Sequence, residues 1–182
     1  MNFENYRMYR SHGSGKFKRK DFKKIGDNVI FEEGVLVFHP ENIEIGNNVY
    51  VGHNTILKGY YKSEMIIDNH TWIGQSCFLH SAGGIRIGKA VGIGPMVKIL
   101  TSVHKDEGEL SKPILFNDLE FGEVIIEDGC DIGIGSIILP GIKIGVGSIV
   151  GAGSVVTKDV PAYSVAVGNP ARVIRKRHDG DT

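Results

Sequence analysis

No stretch of about 18 apolar residues occurs in this chain, and its first residues lack an apolar segment of the signal-peptide kind. Neither membrane insertion nor export is therefore expected, and the reading is a cytoplasmic protein. Cysteine is scarce. The two present, Cys77 and Cys130, fall in different registers of the pattern described below, which argues against a disulfide. Charge of one sign is missing too: 21 Lys plus Arg stand against 21 Asp plus Glu, so no global field draws the chain to nucleic acid. Charge is uneven only locally, in the basic opening "RMYRSHGSGKFKRKDFKK" and the basic close "RVIRKR". The first reads as a solvated, partly disordered arm, an N-terminal extension over 1–24, and 178–182 read as a tail. At 182 residues the chain suits one domain with its own core.

Amphipathic helix spacing is absent from the middle of the sequence, and a count in sixes takes its place. An aliphatic residue or Phe recurs at Ile25, Phe31, Val37; Ile45, Val51, Leu57; Ile67, Ile73, Leu79; and Ile87, Ile93, Ile99. After a gap the count resumes at Ile126, Ile132, Ile138, Ile144, Val150 and Val156. Gly often follows the aliphatic residue, and Gly or Asn often stands third after it, as at Asn48, Gly135 and Gly147, where positive φ is tolerated. The fourth position is small or β-branched, as at Thr55, Cys77, Ser136 and Ser148, which suits an inward side chain at a corner. Each hexapeptide thus reads as a short strand and a tight turn.

Departures from six fall after Val37, Leu57, Leu79 and Ile99, each the third hexapeptide of a set. Three hexapeptides therefore make one coil of a three-sided prism, with roughly six coils between 25 and 160 and every insertion leaving from one corner. The largest insertion separates Ile99 from Ile126 and contains "KDEGELSKPILFNDLEFGEV". An excursion of this length is functional or disordered. At its root, five residues beyond inward Ile99, stands His104. Periodicity leaves the hand of the coil open.

The segments "IGPMVKILTSVH" and "IGAGSVVTKDVPAYSVAVGNPARVIRKR" resemble the hexapeptide-repeat acyltransferases, nearest the branch of maltose and galactoside O-acetyltransferases and surface-polysaccharide acetyltransferases. The likeness covers about 25–177. It implies an all-β fold, a left-handed parallel β-helix with a long loop near 105–125; at the C-terminus, Pro170 ahead of the basic run in "GNPARVIRKR" reads as the start of a short helical cap. The resemblance also implies acetyl-CoA as co-substrate, no required metal, and a homotrimer with active sites between subunits. The chain departs from the sugar O-acetyltransferases proper in lacking their helical N-terminal segment, which counts against a free sugar.

By this resemblance His104 is a general base. An imidazole titrating near neutrality suits removal of a hydroxyl proton as the acyl bond forms. The thioester is already activated, so no covalent enzyme intermediate is needed, and direct transfer in a ternary complex is expected. Asp106, Glu107, Glu109 and Glu123 are candidates to orient the ring. The positions matching the family's acetyl-CoA contacts are Ile134, Ala152, Thr157, Lys158, Arg172 and Arg175. For the acceptor, a sugar or nucleotide sugar, "FLHSAGG" offers His80 and Ser81, and Tyr60, Tyr61 and Trp72 offer aromatic faces. Three rivals stay open: N-acetylation of an amino sugar, a noncatalytic solenoid scaffold, and a zinc hydro-lyase on the same prism. The last needs a histidine pair five residues apart on one coil, and the seven histidines contain none.

Overall fold

Every third hexapeptide returns to the same face. In the computed structural model, which describes residues 9–108, 110 and 112–177, the strands stack into three parallel sheets. The first face holds Lys24–Ile25, Ile43–Ile45, Met65–Ile67, Ile85–Ile87, Val124–Ile126 and Lys143–Ile144. The second holds Ile30–Phe31, Tyr50–Val51, Trp72–Ile73, Gly92–Ile93, Asp131–Ile132, Ile149–Val150 and Ser164–Gly168. The third holds Leu36–Phe38, Ile56–Lys58, Phe78–His80, Lys98–Leu100, Ile137–Ile138 and Val155–Val156. Each face advances in register, as Leu57 opposite Leu79 opposite Ile99 illustrates. This is the left-handed parallel β-helix that the resemblance implies, with six full coils and a seventh begun.

The columns of the repeat become columns of the core. Ile45, Leu57, Ile73, Leu79, Ile93, Ile99, Ile132 and Ile138 are all buried, so each coil covers its apolar layer only against the coils on either side. Polar side chains that point inward at corners are satisfied from the next coil. Thr55 Oγ1 donates to the Gly74 carbonyl, Thr71 Oγ1 to Gly88 and Ser136 Oγ to Gly151. Both cysteines play the same part, Cys77 Sγ against the Gly94 carbonyl and Cys130 Sγ against Gly145; they are free and buried, and burial pushes both thiols up. Where the fourth residue of the hexapeptide is Ser, Thr or Cys it is thus a corner tie, and where it is Val, as at Val49, Val91 and Val97, it joins the apolar core instead.

Both ends correct the expectations above. The C-terminal helical cap does not form: Ser164–Gly168 and Ala171–Lys176 make an antiparallel hairpin that extends the second face. Its alternating β-branched residues favour extended pairing, and a parallel edge at Ile149–Val150 is open to receive it. The N-terminal arm is not free either. Residues 15–22 close the first coil, with Gly15 buried and its carbonyl accepting from the Val37 amide at 2.8 Å. Gly15 has φ +70, and a Cβ there would lie 2.9 Å from the Leu36 Cβ, so only glycine fits. Phe17, Phe22 and Phe31 pack ring against ring over this end, with centroids 4.9 to 5.6 Å apart.

The excursion also has more structure than a loop. Ser102–His104 pairs antiparallel with Leu119–Phe121, and a 3₁₀ turn runs over Ile114–Phe116. The coil is regained at Val124, two residues before the Ile126 that follows the expected 105–125 loop.

Candidate active site

Thr101 hooks the excursion to the prism. Its buried hydroxyl donates to the His80 carbonyl at 2.6 Å and accepts from the Gly83 amide at 2.8 Å, while its carbonyl accepts from the Gly122 amide at 3.0 Å. The three strands meet so closely that a Cβ on Gly83 would lie 2.5 Å from the Thr101 carbonyl oxygen. From this clamp the two stems leave side by side, with His104 opposite Leu119.

His104 is half-buried, and its Nδ1 lies 3.2 Å from the backbone carbonyl oxygen of Asn117. Among the described residues no carboxylate takes that place. Glu123 is engaged by Arg86 at 2.8 Å, Asp106 and Glu107 are exposed, and Glu109 lies outside the described residues. A carbonyl can only accept, so Nδ1 carries the ring proton and Nε2 is left with the lone pair a base needs. The Asn117 amide donates to the Lys105 carbonyl at 2.9 Å, tying the bend between the stems.

His104 lines a cavity of about 590 Å³ together with Tyr9, Arg10, His12, Tyr60, Leu115 and Phe116. The excursion is therefore folded back along the corner toward the early coils, where it meets the arm that precedes Gly15. Spacing in the sequence marked none of Tyr9, Arg10 or His12, because the arm carries no repeat; the apolar "PILF" within a polar insertion was the one visible sign of Leu115 and Phe116.

His80 stands beside this cavity. Its ring lies 6.2 Å from that of Tyr60, edge to face, and stacks on Phe78 at 5.9 Å. Burial first, and then charge interaction with Lys58 and His12, hold its imidazole below the usual range. Ser81 is spent otherwise: fully buried, its hydroxyl donates to the Glu64 carbonyl at 2.9 Å, which makes it a corner tie. Tyr61 packs on Tyr60 at 4.7 Å, whereas Trp72 stacks on Tyr50 on the second face.

The six positions matched to the donor lie in the last coils. Ile134 and Ala152 are exposed in one corner column, joined by the Gly153 amide donating to the Ile134 carbonyl at 2.8 Å. Thr157 and Lys158 are exposed at the next corner, and Arg172 and Arg175 on the terminal strand. None of the six lines the His104 cavity. No cluster of three or more metal-ligating side chains occurs among the described residues, and no helix among them is long and apolar enough to cross a membrane.

The chain is similar to galactoside O-acetyltransferase from Escherichia coli, 34% identical over 97% of this chain and 77% of that protein. It is similar to the dTDP-4-amino-4,6-dideoxy-D-glucose acyltransferase of Escherichia coli, 31% identical over 89% and 86% of the two chains. Among solved structures it is similar to the N-acyltransferase AntD from Bacillus cereus in complex with dTDP and 3-hydroxybutyryl-CoA, with a TM-score of 0.78, 27% identity, and 88% and 86% of the chains covered. No protein-family model matches the chain.

Proposed function

The chain belongs to the hexapeptide-repeat acyltransferases, and from that premise we propose that it moves an acetyl group from acetyl-CoA to a hydroxyl of a sugar or sugar-containing acceptor. The observation that carries this reading is the Nδ1 contact of His104 with the Asn117 carbonyl, which leaves Nε2 as a base in a cavity large enough for a small ligand. In the step itself, Nε2 takes the proton of the acceptor hydroxyl as its oxygen attacks the thioester carbonyl. The tetrahedral oxyanion collapses, the carbon–sulfur bond breaks, and the imidazolium returns the proton to the departing thiolate. Neither cysteine takes part, since both are buried ties within the prism.

Lys158, Arg172 and Arg175 are exposed cations suited to the donor's phosphates, and the Ile134 and Ala152 corner leaves backbone open beside a path for the pantetheine arm. None of these positions lines the His104 cavity of the same chain, and the reading brings donor and base together between subunits of a trimer. Half-exposed Leu36, Ile56, Phe78 and Ile137 on the outer side of the third face supply apolar surface for such packing. We place the reaction in the cytoplasm.

Transfer to an amine is the second reading, favoured by the similarity to the N-acyltransferase AntD and to an acyltransferase named for an amino sugar. One experiment serves both. The protein is mixed with acetyl-CoA and a panel of sugars, amino sugars and nucleotide sugars, and thiol release is followed. Thiol release that depends on acceptor supports the reading, and silence across the panel overturns it. A product cleaved by mild alkali is an ester; one that resists is an amide.

A further inference from the structure

We propose that Arg10 and His12, backed by Lys58 and His80, form a binding site for a phosphate group of the acceptor, so that the chain acetylates a phosphorylated sugar rather than a neutral one. The inference rests on the acetyltransferase reading above.

The cavity's described lining is one-sided in its chemistry. Arg10, His12 and His104 are its charged or titratable nitrogen groups, Tyr9, Tyr60, Leu115 and Phe116 complete it, and no carboxylate is among them. A neutral sugar presents hydroxyls that both donate and accept, and is best met by a mixture of both kinds of group. An arginine offers five donors and no acceptor, which suits an anion's oxygens. The tyrosines provide apolar ring faces for the sugar itself.

Further positive charge converges on the same place. Lys58 and His80 are register neighbours on the third face, and both Lys58 and His12 are close enough to the His80 ring to interact with its charge. Arg10 and His12 come from the arm, Lys58 and His80 from two successive coils. Four nitrogen-bearing side chains from three separate segments, with no carboxylate among the described lining residues, make this end of the cavity suited to an anion. A dianion answers the fixed cation Arg10, with Lys58 adding positive charge from beside His80, better than a carboxylate does. Since Arg10, His12 and His104 share one cavity, the acylated group lies on the sugar that bears the phosphate, or on a near neighbour of it. The arm is held for this purpose at Gly15, whose carbonyl is pinned by Val37 three residues past His12.

The test has a binding arm and a kinetic arm, both on the full chain. Inorganic pyrophosphate is titrated calorimetrically into the wild type, Arg10→Gln, His12→Gln and the double variant; these residues are exposed, and unchanged melting temperatures certify the fold. Each substitution should weaken binding about tenfold, as expected for a charge-assisted contact. Equal binding by wild type and double variant, or none by the wild type, overturns the proposal. In the kinetic arm, the same sugar is offered free, as its 1-phosphate, as its nucleoside diphosphate and as its uronic acid. Arg10→Gln should raise KM for the two phosphorylated forms about tenfold, leaving kcat and the KM for acetyl-CoA unchanged. The preferred one of these two identifies the phosphate's source. Preference for the free sugar or the uronic acid sinks the phosphate site and leaves the acetyltransferase reading standing. Absence of thiol release with every acceptor counts against that reading instead, while the pyrophosphate titration still decides the site.

Discussion

His104 and Asn117 occupy opposite stems of one excursion, and the carbonyl oxygen of Asn117 lies 3.2 Å from Nδ1 of His104. The base is thus oriented by backbone, and its aim depends on whatever holds residue 117 in place.

That holding group is the Asn117 side chain, which donates to the Lys105 carbonyl at 2.9 Å. Asn117→Asp keeps the size and removes the donor. It should lower kcat by about ten- to a hundredfold, the cost of misplacing a reacting group by a fraction of its diameter, with KM for acetyl-CoA unchanged. Steady-state kinetics check this, and an unaltered kcat would refute the positioning role.

The clamp at Thr101 is exposed to a stability test. Gly83→Ala would place a Cβ 2.5 Å from the Thr101 carbonyl oxygen, against backbone that has no room to yield. A loss of about 1–3 kcal/mol is expected from overpacking. Thr101→Val, which strands the Gly83 amide and the His80 carbonyl, should cost a comparable amount. Denaturant titration measures both.

The N-terminal cap predicts that its aromatic cluster contributes to the fold. Phe22 is 8% exposed and packs between Phe17 and Phe31. Phe22→Ala should destabilise the protein by about 3 kcal/mol, whereas a solvated arm would register no change beyond about 0.5 kcal/mol.

Acid should weaken the fold through His80. Burial first, and then charge interaction with Lys58 and His12, depress its affinity for a proton below the ordinary 6.5. The unfolded chain then takes up the proton at higher pH than the folded one, so stability is lost as pH falls below about 6.5 toward the folded value. His80→Gln should flatten that part of the stability profile; an identical slope in both proteins would contradict the assignment.

The prism was legible in the sequence because its geometry is written at a fixed interval: Ile45, Ile73 and Ile99 each announce a face, and the breaks after Val37, Leu57, Leu79 and Ile99 announce the corner. The corner ties were legible as small residues, though not their partners, since a hydroxyl such as Thr55 bonds a carbonyl 19 residues away. His104 stood out by its place at the root of the longest break, and its role came from resemblance. Asn117 was hidden because it acts through a carbonyl, which every residue has. Arg10 and His12 were hidden because a non-repeating arm gives no register from which to read contacts. The terminal hairpin was misread as a helix because Pro170 and a basic run resemble a helix start, while the open edge of the second face decides the matter in three dimensions.

The most direct test of the account is the turnover number of His104→Ala with acetyl-CoA and whichever acceptor the panel identifies, measured at saturating concentrations of both. A fall of about 10²- to 10⁴-fold, with acetyl-CoA still bound, is the expected result for a general base. Retention of more than about a tenth of the wild-type rate would remove His104 from the chemistry.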